Sequence, residues 1–212
     1  MGHCHEPDWT VPSLTMQLEP STSALQLVLR RTPEGVLGPG AVADAPLVRF
    51  AAYGAHQRIF GWVRLKADRL TDLLNAHEEL QLINVDLETF ANGLTGTVDE
   101  VVVRRRDLIA VQASLPRGAE GRRRLTRPHP IAMQSGGYLI SGYLHVPNGA
   151  DPIETARTRA PMIPLTDALL EYWVRGKRQH QSTGTIIVNR DATDWIRLVT
   201  DDDLIDEQLR PG

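Results

Sequence analysis

The residues with the clearest chemistry in this sequence are the arginines near its middle. Between Val101 and Pro130 the chain has eight arginines against two acidic residues, a local charge of about +6. A guanidinium group binds phosphate oxygens through paired hydrogen bonds, so this stretch is a candidate arm for binding RNA or a nucleotide phosphate. The candidate residues are Arg104, Arg105, Arg106, Arg122, Arg123, Arg124 and Arg127.

The same arginines also fit a solvated linker that contacts an acidic surface. The stretch PRGAEGRRRLTRPHP is rich in Gly, Pro and Arg, which is typical of an exposed connection, and residues 191–212 have seven acids against two arginines. No aromatic residue is interleaved with the arginines, so stacking on bases is not indicated. Arg123 and Arg127 resemble the opening of PilZ cyclic-dinucleotide receptors, but the Asp/Asn-x-Ser-x-x-Gly motif of that family does not follow.

Patterns for metal binding and catalysis are weaker. The N-terminal Gly2-His3-Cys4-His5 has suitable donors for copper or zinc, but a closed site needs more fixed ligands. Residues 201–203 are three aspartates that read as a solvated tail, and the glycines of EGVLGPGAV do not form a phosphate-binding loop. Ser135 is not in a GxSxG elbow. We therefore predict no catalytic residues, no metal and no cofactor.

Composition bounds the class of protein. The chain has 212 residues, a net charge of −3, 42% apolar and 5% aromatic residues, and one cysteine. A single cysteine excludes an internal disulfide framework. No apolar run approaches the length of a membrane span, and the first residues lack the pattern of a signal peptide. These features predict a cytoplasmic protein without a membrane partner, with one large core or two small ones.

The sequence contains a weak internal repeat, which is a primary indicator of architecture. Four blocks align in the same order: 50–65 with 131–146, 80–90 with 162–172, 101–105 with 186–190, and 107–111 with 194–198. This alignment places Gly61 on Gly142, Leu87 on Leu169 and Phe90 on Tyr172. We interpret the chain as an internal duplication.

Each copy reads as five short strands with a helix between the second and third. The strands are rich in β-branched and aromatic residues, and 54–57 and 135–137 are predicted hairpin turns. Asp151 is a predicted helix cap followed by Pro152, and Asp68 is the predicted cap in the first copy. Because a closed sheet has no exposed edge, the pattern predicts a mostly β protein made of two tandem five-stranded barrels.

Three blocks of the first copy carry a resemblance to a known family. Gly61 followed by VRL, the segment LQLINVDLE, and the segment VVVRRRDLIAV resemble the two sequence blocks of Sm-like small β-barrels, and the second copy follows the same order. The resemblance implies the fold. It does not imply RNA binding, because the family's Asp-x-x-Met-Asn motif is matched at best by residues 77–81, and the second copy has Ile163 in place of the Asn.

The predicted organisation is an irregular segment with one strand at 1–45, barrels at 46–114 and 130–200, a basic linker at 115–129 and an acidic tail at 201–212. Small cores of this size are individually marginal, so association with a second copy or a partner protein is expected. The function predicted first is a non-catalytic protein-interaction or scaffold module that forms homo-oligomers. The alternative is an RNA or nucleotide-phosphate binding protein that uses the arginines named above, and the third reading is an enzyme of unknown class.

Overall fold

The computed structural model describes residues 45–113, 125–174 and 176–204, which are mostly β, as predicted. The first copy consists of β1 (Leu47–Tyr53), β2 (Gln57–Arg64), α1 (Leu70–Ala76), β3 (Glu79–Thr89), β4 (Thr95–Arg104) and β5 (Ala110–Ala113). The second copy consists of β6 (Thr126–Ser135), β7 (Tyr138–Pro147), α2 (Pro152–Thr158), β8 (Met162–Val174), β9 (Lys177–Asn189) and β10 (Trp195–Leu198). A short 3-10 helix precedes the last strand of each copy, at Arg105–Asp107 and Arg190–Ala192.

The strands form one open antiparallel sheet, so the prediction of two closed barrels is wrong. The order along the described sheet is β10-β6-β7-β8-β9-β5-β1-β2-β3-β4. A closed barrel requires the fourth and fifth strands of one copy to pair with each other. Instead β5 pairs with β1 on one side and with β9 of the other copy on its other side. Since a strand has only two sides for hydrogen bonding, β5 cannot also pair with β4.

The duplication is visible in the pairing, which also corrects the sequence alignment of the third strand. Gly61 lies opposite Phe50, and Gly142 lies opposite Ile131, so these positions correspond as predicted. Ile59 pairs with Leu87, whereas the corresponding Ile140 pairs with Leu170. Leu87 therefore corresponds to Leu170, one residue from the predicted Leu169, because the connection from α2 to β8 is one residue longer than that from α1 to β3.

The alignment of the fifth strand needs a larger correction. Phe50 pairs with Ala113, and the corresponding Ile131 pairs with Leu198, so Ala113 corresponds to Leu198 rather than Val111. The 3-10 helices between the fourth and fifth strands have the same length in both copies. The two-residue insertion assumed in the sequence alignment is therefore absent.

Local signals predicted one helix start and missed the other. The Asp151 side chain caps α2 by accepting a hydrogen bond of 2.7 Å from the Glu154 backbone N–H, and Pro152 is the first helical residue, as predicted. In α1 the N-cap is Arg69, which makes no side-chain capping bond, so the prediction of Asp68 as the cap is wrong. The buried leucines of α1, Leu70, Leu73 and Leu74, hold that helix against the sheet.

The sheet covers two hydrophobic cores. The first contains Phe50, Ile59, Leu74, Leu82 and Leu108, and the second contains Ile131, Met133, Ile140, Leu144 and Leu170. Each core also contains side chains from the other copy, as described below. No helix in the described ranges is long and apolar enough to span a membrane.

Candidate functional site

The candidate site is the junction at which the two copies join into one sheet. The register places three residues of each strand directly opposite one another: Ala110 with Val188, Val111 with Ile187, and Gln112 with Ile186. Beyond this ladder, the backbone N–H of Asn189 donates to the Ile109 carbonyl at 2.8 Å, and its side-chain amide donates to the Leu108 carbonyl at 2.8 Å. Asn189 is buried, so these bonds satisfy polar groups that would otherwise be costly to bury.

Helix α1 of the first copy supports the junction from the side. The Asn75 side chain donates to the Met162 carbonyl at 3.0 Å and accepts from the Met162 backbone N–H at 2.9 Å. Asn75 therefore takes the place of a strand partner at the start of β8 and ties the first copy to the second.

The two copies exchange side chains across the junction. Met162 and Ile187 of the second copy are buried in the core of the first copy. Tyr53, Ile109 and Ala110 of the first copy are buried in the core of the second. Because neither core is complete without the other copy, the junction is an interior contact rather than a contact between two finished domains.

An aromatic cluster lies on the second-copy side of the junction. The ring of Tyr53 lies 6.1 Å from that of Tyr138 and 5.6 Å from that of Tyr172, between ring centroids, and Phe90 contacts the last two. Such separations suit edge-on and tilted aromatic packing. Burial raises the pKa of Tyr53 to about 12, with Tyr172 adding to the effect, and burial also raises the pKa of Tyr138. These phenols therefore stay neutral at physiological pH.

Polar groups at the edge of this cluster connect the copies further. Arg58 donates to the Tyr172 hydroxyl at 2.8 Å and pairs with Glu88. The Tyr53 hydroxyl donates to Gln181, and the Tyr138 hydroxyl donates to the Gly54 carbonyl at 2.6 Å. Burial is the largest single influence and lowers the pKa of Arg58, but the hydrogen bond to Glu88 and the charge interactions with Tyr172, Glu88 and Tyr53 together outweigh it, so that pKa is raised. The arginine stays charged and its hydrogen bonds stay in place.

Glu171 is the most buried carboxylate in the described chain, with 4% of its side chain exposed. It pairs with Arg178, and His180 lies 3.8 Å away, while its Oε1 atom has no hydrogen-bond partner. The charge of Arg178 offsets part of the free-energy cost of burying the Glu171 carboxylate. Among the described residues no group of three His, Cys, Asp or Glu side chains is arranged to hold a metal ion.

The two outer edges of the sheet correspond to the two strands of the junction. β4 holds the place of β9, because Leu82 pairs with Val101 as Leu165 pairs with Ile186. β10 of the second copy corresponds to β5 of the first, because it pairs with β6 in the register in which β5 pairs with β1. Within the described residues β4 pairs only with β3, and β10 pairs only with β6. Each of the two strands that form the internal junction therefore has a counterpart at an outer edge of the sheet.

The predicted arginine site is only partly within the described residues. Arg122, Arg123 and Arg124 lie outside them. Arg104 pairs with Asp107 at 3.1 Å. Arg105 is half-buried and donates to the carbonyls of Leu74 and Asn75 at the end of α1.

The other two described arginines face solvent. Arg106 has 74% of its side chain exposed and lies 3.9 Å from Asp107, and Arg127 is exposed on β6. Since Arg106 follows β4 and Arg127 is near the start of β6, the described structure does not gather the predicted arginines into one pocket.

Sequence reasoning missed the junction itself. The pairing of β5 with β9 joins segments far apart in the chain, and local periodicity carries no information about such partners. One signal was present: Ile186, Ile187 and Val188 form a continuous apolar run, which is typical of a strand buried on both faces.

Comparison with known proteins gives no further assignment. No family model matches the chain, and no match was found among curated proteins or among solved structures.

Proposed function

We propose that this protein is a non-catalytic protein-interaction module that forms homo-oligomers through the edges of its sheet. The observation that carries the proposal is the internal junction, in which a fourth strand of one copy pairs with a fifth strand of the other. A fourth and a fifth strand of the same kind form the outer edges of the described sheet. An exposed strand edge is a template for pairing with another chain.

The apolar surface near these edges supports the proposal. Trp195 and Leu198 of β10 are 40% and 51% exposed, although large apolar residues gain free energy on burial. Exposed aromatic residues are enriched in protein interfaces, so association would cover side chains that a monomer leaves in water.

The RNA or nucleotide alternative and the Sm-like resemblance stay predictions. Arg104 and Arg105, two of the arginines on which the alternative rests, already bind groups within the chain. No observation in the described residues favours that alternative over self-association, so we do not propose it.

The proposal is tested by light scattering and sedimentation velocity on the full chain over a wide concentration range. We expect a mass that is a multiple of the chain mass and that decreases on dilution, because association follows mass action. Nuclease treatment of the sample controls for bridging by RNA. A single monomeric species at every concentration would overturn the proposal.

A further inference from the structure

We propose that β10 of one chain pairs with β4 of a second copy in antiparallel orientation, so that the β5–β9 junction is repeated between chains. This inference rests on the proposed self-association and specifies its surface, its partner and its register. In this arrangement each β10 edge pairs with a β4 edge, and neither edge pairs with its own equivalent in the second copy.

The register follows from the positions that correspond in the two copies. Ala110, Val111 and Gln112 correspond to Trp195, Ile196 and Arg197 through their pairing with β1 and β6. Val188, Ile187 and Ile186 correspond to Val103, Val102 and Val101 through their pairing with β8 and β3. The internal register then places Trp195 opposite Val103, Ile196 opposite Val102, and Arg197 opposite Val101 of the second copy.

Burial at corresponding positions shows what the missing partner would cover. Ile187 is fully buried at the internal junction, whereas Val102 at the same position of β4 is half-buried. Ala110 and Val111 are fully buried, whereas Trp195 is 40% exposed and Ile196 is half-buried. Val102 of β4 and the three β10 positions are therefore more exposed at the outer edges than their counterparts are at the junction, whereas Val101 and Val103 of β4 are already buried by their own chain.

The second copy would extend an existing core. Val111 and Ile187 lie together in the core of the first copy. Ile196, which corresponds to Val111, already packs against the core of the second copy. Val102 of a neighbouring chain would enter that core beside Ile196, as Ile187 enters beside Val111.

Charge along the two edges favours the same orientation. In the proposed register Asp194, just before β10, lies beside Arg104 of the second copy. Opposite charges directly across strands stabilise a pairing and like charges oppose it, so the antiparallel register places one unlike pair opposite each other at this end.

The contact between chains is expected to be weaker than the contact within the chain. At the outer edges, Glu79 occupies the position that corresponds to Met162, and Gln134 occupies the position that corresponds to Tyr53. Because these two residues are polar, the contact between chains buries less apolar surface than the internal junction does. Because two different edges meet, the contact is head-to-tail. Repeated head-to-tail contacts give a closed ring when the rotation between neighbouring chains adds up to a full turn, and an open filament when it does not.

Disulfide trapping tests the register directly. Residues directly opposite in an antiparallel pair have Cα atoms about 4.5–5.5 Å apart, which a disulfide can bridge. In the full chain with Cys4→Ser, we would make Val102→Cys and Ile196→Cys as separate variants and mix them under mild oxidation. We expect a covalent dimer that a thiol reductant reverses, and much less dimer from either variant alone.

Two matched controls accompany this experiment. Val111→Cys with Ile187→Cys in one chain traps the internal junction and should give an intramolecular bridge that changes gel mobility without changing mass. Val102→Cys mixed with Leu198→Cys is two residues out of register and should give at least tenfold less dimer. Equal trapping in and out of register would overturn the proposed register.

The outcomes separate this inference from the proposed function. If light scattering shows an oligomer but the Val102 and Ile196 variants form no bridge, the edge pairing is wrong and self-association stands. A second variant, Val102→Lys, places a charge on a half-buried edge position and should convert the oligomer to a folded monomer with an unchanged circular dichroism spectrum. An unchanged oligomeric mass for that variant would also overturn the pairing.

Discussion

Asn84 and Asp167 occupy the same position in the two copies, and both adopt a left-handed backbone conformation, with φ of 50° and 46°. The equivalence follows from the pairing of Ile83 with Trp62 and of Thr166 with Tyr143 on either side of a β-bulge. Asn and Asp are the non-glycine residues that adopt this conformation most readily. The duplication thus preserves a backbone distortion as well as a strand order.

This conformation predicts a specific pattern of substitution effects at Asn84. We expect Asn84→Val to lower the free energy of unfolding by about 1–2 kcal/mol, because a β-branched residue is disfavoured at positive φ. Asn84→Gly should be neutral or slightly stabilising, since glycine adopts this conformation freely. Denaturant unfolding measures both variants, and a Val variant as stable as the Gly variant would contradict the prediction.

A related prediction concerns Gly61 and Gly142, which lie across from these residues. A Cβ atom at Gly142 would lie 3.0 Å from the Thr166 carbonyl oxygen and 3.1 Å from the Ala168 Cα, which are backbone atoms with little freedom to move. We expect Gly142→Ala to destabilise the protein by about 1–3 kcal/mol, as overpacking does. Gly137→Ala is the control, because a Cβ there would meet no atom within 4 Å. Thermal unfolding compares the two.

Elements dominated by local chemistry could be predicted from the sequence, and contacts between distant segments could not. The cap at Asp151 and the turn near Gly54, where the Gly54 N–H donates to the Gln57 carbonyl at 2.9 Å, follow from neighbouring residues alone. The pairing of β5 with β9 joins distant segments and depends on the arrangement of the whole chain, which neighbouring residues do not encode. For that reason the sequence pattern predicted two closed barrels where the structure has one open sheet.

The candidate site shows the same division. The arginines stood out by residue type, yet the partner of each depends on the fold: Arg105 reaches the end of α1, and Arg104 reaches Asp107. Tyr53 and Tyr172 carried no motif at all, because their importance comes from packing between copies. A sequence pattern identifies which groups can do chemistry, but burial and partners decide which of them are free to do so.

Arg105 and Arg190 are predicted to be structural residues with the same role. Arg190 donates to the carbonyls of Arg157, at 2.7 Å, and Arg159, just as Arg105 donates to carbonyls at the end of α1. Hydrogen bonds from charged donors contribute roughly 1.5 kcal/mol or more, so Arg105→Ala and Arg190→Ala should each lower stability by about that amount. Arg106→Ala, at a mostly exposed side chain, should change it by less than about 0.5 kcal/mol. Equal effects in chemical denaturation would contradict this assignment.

Tyrosine ionisation should reveal that the phenols of the aromatic cluster are buried. Because the pKa of Tyr53 is raised from 10.0 to about 12, its stabilising effect is complete below pH 10 and is lost as the pH rises towards 12. An ultraviolet titration should therefore show a late-ionising phenol that shifts to an ordinary pKa on unfolding. Tyr53→Phe should reduce the amplitude of the late phase without abolishing it, because burial also raises the pKa of Tyr138. A late phase of unchanged amplitude in the variant would show that Tyr53 does not contribute to it.

The exchange of side chains across the junction predicts that both copies unfold together. Ile187 belongs to the second copy but is buried in the core of the first, so Ile187→Ala should cost about 2–5 kcal/mol and shift a single transition followed at both copies. Val102→Ala, at the corresponding half-buried position of β4, should cost clearly less in the dissociated protein. Fluorescence of Trp62 and Trp195, isolated in turn by Trp→Phe changes elsewhere, follows each copy separately. Two well-separated transitions would show that the copies fold independently and that the exchanged residues contribute little.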